Sequence, residues 1–158
     1  YRRAAAALLA LLAITITWGG LMAGFHAGLV APTFPTMNTL WIPDGLWAQE
    51  PAIVNPVRNL LTIHFTHRLL AYAVVIASVA LAIAVRRAEG ISARAKGLAA
   101  AVLGVALVQV TLGAIVVLSY VRIGWASLHQ VNAVVLLAVM VGLLQQLTPG
   151  RAQGMGSR

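Results

Sequence analysis

Cysteine is absent from this chain of 158 residues, and acidic side chains number only three. The first absence removes disulfides, thiolate metal sites, iron–sulfur clusters and thiol nucleophiles together. The three acids, Asp44, Glu50 and Glu89, all lie outside the long apolar runs, which removes a carboxylate-bridged di-iron site. Charge of either sign is scarce, at 9% of residues against 61% hydrophobic, with a mean hydropathy of +0.91. A soluble domain is nearer one quarter charged, so that class is excluded. The formal net charge is +8, yet the chain lacks the folded polar surface that a nucleic-acid-binding face needs. What remains is an integral membrane protein.

Crossing the ~30 Å hydrocarbon layer takes about 20 apolar residues as a helix. Four segments qualify, at about 4–29, 59–85, 97–119 and 126–147. Each is too continuously apolar for the alternating strands of an outer-membrane barrel. Segment one exceeds a signal-peptide core and carries Trp18 and His26. The predicted fold is therefore all-α, an integral membrane four-helix bundle of two helix hairpins in a single domain over residues 1–158. Tyr1 stands where an initiator Met is expected, which suggests a processed or trimmed chain, and the tail from Thr148 to Arg158 reads as disordered.

The connections differ. Residues 30–58 hold five of the six prolines, together with Trp41, Trp47, Asp44 and Glu50. Proline fixes φ and withholds an N–H donor, so this long loop is expected to be irregular or to carry short helices rather than a strand pair. The link between segments two and three is short and basic. Cations at Arg2, Arg3, Arg86, Arg87, Arg94, Lys96, Arg151 and Arg158 share one side, against Arg58 and Arg122 on the other. This bias places both termini in the cytoplasm and the proline-rich loop outside. The location implied is a cell inner (cytoplasmic) membrane, multi-pass, with anionic lipid as the natural partner of the positive charge and no nucleic acid.

Ionisable groups at membrane depth are functional candidates by default. All four histidines, His26, His64, His67 and His129, fall in the apolar segments. His67 lies about two turns inside the outer end of segment two and His129 about one turn inside that of segment four, which puts them at similar depth. Two imidazoles from different helices at one depth suit a heme standing between helices. A pair of hydrogen-bonded helix-glue histidines and a four-histidine copper or zinc site are the alternatives. Gly20, Gly24 and Gly28 form a small-residue stripe that fits either a cofactor slot or plain close packing. Arg68 fits either a heme propionate or snorkelling toward headgroups. Gln109, Gln130 and Asn132 could hydrogen-bond a porphyrin or a neighbouring helix. His67-Arg68-Leu69-Leu70-Ala71-Tyr72-Ala73-Val74-Val75 is weakly echoed by His129-Gln130-Val131-Asn132-Ala133-Val134-Val135, and Trp18-Gly19-Gly20-Leu21 by Thr111-Leu112-Gly113-Ala114. Such an echo suits two hairpins related by pseudo-twofold symmetry.

At these residues the sequence resembles the heme A synthase family, specifically one four-helix half of it. The matching stretches are Gly19-Gly20-Leu21-Met22-Ala23-Gly24, Thr33-Phe34-Pro35-Thr36-Met37-Asn38, Trp41-Ile42-Pro43, Phe65-Thr66-His67-Arg68-Leu69-Leu70-Ala71-Tyr72, Gln109 with Leu112-Gly113, and Leu128-His129-Gln130. They keep the family's order across most of residues 19–135. The resemblance is closest to the C-terminal half of the family's eight-helix members, and implies a b-type heme (heme b) with bis-histidine ligation by His67 and His129. Arg68 and Gln130 are further cofactor-binding candidates. It implies an oxidoreductase that converts heme O to heme A by oxidising a methyl group to a formyl, in cytochrome oxidase assembly. The family's substrate-binding half carries a glutamate three residues before its helix-two histidine; here His64 stands at that offset. His64 and His26 are thus the candidates for a catalytic role, and a non-catalytic cytochrome b-like subunit for electron transfer or complex assembly is the alternative. Four-helix members assemble as oligomers, so a homo-oligomer, half of a longer chain or a larger membrane complex is expected.

Overall fold

The computed structural model describes residues 1–148, so the tail expected to be disordered lies, beyond Thr148, outside the described residues. Four long helices dominate: α1 (Arg2–Gly24), α3 (Leu60–Arg87), α4 (Ala93–Leu118) and α5 (Ile123–Gln146). The connection between α1 and α3 contributes a short α2 (Asn55–Arg58) and two 3-10 turns, Ala27–Leu29 and Ala52–Val54. No strand occurs among the described residues, where pairing outside helices is limited to one isolated bridge between Met37 and Leu40. All four long helices are long and apolar enough to cross a membrane, so the chain is a four-helix membrane bundle.

The helix ends differ from the sequence expectation where local hydrogen bonding takes over from apolar composition. Segment one stops at Gly24 rather than near residue 29, because His26 adopts a left-handed φ of 54° and a 3-10 turn follows. The helix predicted from residue 97 begins at Ala93, since the Ser92 side chain accepts from Ala95 N–H and caps it. Asn59 caps α3 in the same way, accepting from the N–H groups of Leu61 and Thr62.

Around the bundle α1 packs on α3, α3 on α4, α4 on α5, and α5 closes back on α1. The helices α3 and α5 are therefore diagonal. The apolar core gathers Ala5, Leu8 and Leu12 with Leu81 and Val85, Ala95 and Ala99, and Met140 and Leu143. These residues occupy the half of the bundle remote from the long loop. Small side chains recur at the contacts because, in lipid, close van der Waals approach replaces the hydrophobic drive toward association. Leu69, Ile76, Ile83, Leu107, Val131 and Val134 are exposed, as lipid-facing positions should be. The half nearer the long loop is built differently, and all four histidines lie there.

Candidate functional site

The start of α3 is tied to the long loop by polar side chains. Asn59 Nδ2 donates to the carbonyls of Gly45 and Leu46, and Thr62 donates to Leu46 as well. Asn55, fully buried, donates to the carbonyls of Gln49 and Ala52. About two turns into α3 sits Arg68, 9% exposed. Its Nε donates to His64 Nε2 at 2.9 Å. Nη1 donates to the carbonyls of Pro35 (3.3 Å) and Thr36 (3.2 Å), and Nη2 to those of Ala31 (3.2 Å) and Thr33 (2.6 Å). Phe34 lies against the same guanidinium, its ring centroid 5.9 Å from Cζ. All five N–H donors of Arg68 are thereby engaged, four of them by carbonyls of the loop 31–36.

His67 and His129 share a second kind of environment. A Cβ placed on Gly19 of α1 would come 3.3 Å from His67 Cε1. A Cβ placed on Gly113 of α4 would come 3.1 Å from His129 Cε1. Each imidazole thus packs closely against a glycine, where a Cβ would force the ring to shift. Both glycines lie five residues before the end of their helix, at Gly24 and Leu118, which places the two seats at similar depth. The Nδ1 atoms of His64, His67 and His129, and Nε1 of Trp18, are buried without a hydrogen-bond partner.

The glycine expectation needs correcting. A Cβ on Gly20 or Gly24 meets nothing within 4 Å, and one on Gly28 meets Val121 Cγ2 at 3.0 Å. Of the stripe chosen from spacing, Gly28 is closely packed while Gly20 and Gly24 face open space; the glycine set against His67 is Gly19, one residue away. The four-histidine copper or zinc alternative is also not formed, since among the described residues no three His, Cys, Asp or Glu side chains gather as a metal site. Residues 1–141 match the family model described as cytochrome oxidase assembly protein, COX15-CtaA.

The chain belongs to that family. It is 44% identical over 147 residues to the heme A synthase of Rhodopseudomonas palustris, covering 91% of this chain and 39% of the relative. It is 36% identical over 143 residues to the heme A synthase of Rhodospirillum centenum, covering 90% and 38%. Against the heme A synthase COX15 of Bos taurus it is 36% identical over 146 residues, covering 92% and 35%. The chain therefore spans less than half the length of these relatives. No solved structure matches it.

The remaining candidates of this COX15-CtaA chain are scattered. His64 is 1% exposed and held by Arg68. His26 is exposed at the break after α1, apart from the buried imidazoles. Gln130 is exposed on α5. The polar partners that reach His129 are instead Gln109, one turn before Gly113, and through it Asn132. Their roles could be anticipated from the sequence only as uncommitted amides at membrane depth.

Proposed function

We propose that this chain is a heme A synthase-type oxidoreductase unit that holds a b-type heme between His67 and His129. The observation that carries the reading is the pair of matched seats: two imidazoles on the diagonal helices α3 and α5, one from each hairpin, each backed by a glycine at the same distance from its helix end. That donor set fits the group, because neutral imidazoles from two sides are what a low-spin heme requires. A bound heme supplies redox chemistry that side chains lack, here the oxidation of the heme O methyl to the formyl of heme A by successive hydroxylation. The chain's own residues bind and orient. Gly19 and Gly113 leave room for the rings, and Arg68 fastens the loop 31–36 beside His64 at the outer end.

The cation distribution supports an inner (cytoplasmic) membrane location with both termini on the cytoplasmic side. The two seats, repeated one per hairpin, support the pseudo-twofold relation. The partial coverage of the relatives supports assembly with further helices, as a homo-oligomer, within a longer chain or in a larger complex.

A second reading, a non-catalytic cytochrome b-like subunit, is favoured by one observation: no acidic residue lies in any of the four long apolar helices, and His64 is already bonded to Arg68. Purified protein, its reduced-minus-oxidised spectrum, pigment extraction and turnover of added heme O test both. Heme b with conversion of heme O supports the enzyme, heme b without conversion supports the subunit, and absence of heme refutes both.

A further inference from the structure

His129 has a neighbour that His67 lacks. Asn132 Nδ2 donates to the Val105 carbonyl (3.2 Å) and to Gln109 Oε1 (2.6 Å). Both acceptors are carbonyl oxygens, so turning the Asn132 amide over would set oxygen against oxygen. Gln109 Oε1 is therefore occupied, and its amide nitrogen must face α5. There it donates to the main-chain oxygen of His129 (3.0 Å) and meets His129 Nε2 at 3.2 Å. An amide nitrogen donates and does not accept. The imidazole nitrogen opposite it must then be the unprotonated one, and the ring proton sits on Nδ1.

We propose that Gln109, aligned by Asn132, is a positioning residue that fixes the tautomer of His129, making Nε2 the unprotonated nitrogen that a metal would take. The proposal rests on the reading of His129 as a heme ligand. A neutral amide N–H is a weak partner for that lone pair, and a metal ion displaces it. The amide nitrogen must then move off Nε2, and its bond to the His129 carbonyl is what keeps Gln109 on α5 until it does. Glutamate at this position would reverse the polarity: a carboxylate only accepts, and would draw the proton onto the ligating nitrogen. Leucine would leave the tautomer unspecified.

The experiment is solid-state NMR of heme-free, 15N-histidine-labelled chain in lipid bilayers, with the His129 signals assigned by their loss in His129→Ala. The wild type should show a protonated Nδ1 and an unprotonated Nε2. Gln109→Glu should reverse this, and Gln109→Leu and Asn132→Leu should each give a mixture. Heme added to the same samples should be retained less well by Gln109→Glu than by the wild type, because a ligand nitrogen must be unprotonated to bind a metal. A tautomer unchanged by all three substitutions would overturn the proposal. If the tautomer responds as expected but His129→Ala keeps its low-spin heme, the ligand reading fails and the Gln109 assignment stands. If the tautomer ignores Gln109 while His129→Ala loses the heme, the reverse holds.

Discussion

His67 and His129 rest on glycines in the same manner, but their hairpins surround them with different polar chemistry. Beside His67, the polar groups of α3 are turned outward: Arg68 and His64 fasten the long loop, and no side chain among the described residues hydrogen-bonds the His67 ring. Beside His129, the connection from α4 is only four residues, with Tyr120 and Val121 at φ 55° and 57°. Positive φ at a β-branched residue is a strained conformation. With no loop to anchor there, Gln109 and Asn132 turn inward to the imidazole. One hairpin therefore uses its polar residues to close the end of the bundle, and the other uses them to orient a ring.

The comparison breaks most completely if the two rings are not equivalent as ligands. His67→Ala and His129→Ala are each expected to abolish the low-spin heme spectrum, because one imidazole cannot supply both axial positions. Full retention in both variants refutes the shared role, and retention in one alone makes the seats unequal.

Arg68→Met tests the outward half of the contrast. It removes a charged donor from four carbonyls and from His64, and is expected to destabilise the loop's attachment by about 3 kcal/mol. Hydrogen exchange should quicken in residues 31–38, with limited proteolysis entering there first. Unchanged exchange combined with poorer heme retention would mean that Arg68 serves a propionate instead.

Much of this architecture is legible before any coordinates. The four spans follow from continuous apolar length, and the long loop from its prolines. His67 and His129 stand out because imidazoles are rare at membrane depth. What escapes is rotation about the helix axis. In soluble helices a polar face betrays the buried one, but here every face is apolar, so spacing could not tell Gly19 from Gly20. The partners of Arg68 escape for another reason: they are main-chain carbonyls 32 to 37 residues away, and a carbonyl leaves no mark on the side-chain sequence. Gln109 and Asn132 were visible as amides, while their direction needed the packing of α4 on α5.

The glycine seats give the smallest effects and the sharpest comparison. Gly113→Ala places a Cβ 3.1 Å from a ring that Gln109 also holds, whereas Gly19→Ala places one 3.3 Å from a ring with no such tether. Overpacking of this kind costs about 1–3 kcal/mol. Heme retention, measured by transfer to an acceptor protein, should fall in both variants and further in Gly113→Ala, since His67 can tilt away and His129 cannot. Gly20→Ala is the control. Its Cβ meets nothing within 4 Å, so it should keep its heme and gain up to ~1 kcal/mol of helix stability. If Gly20→Ala loses heme as readily as Gly19→Ala, α1 is rotated from the position described, and the close packing of His67 on Gly19 falls with it.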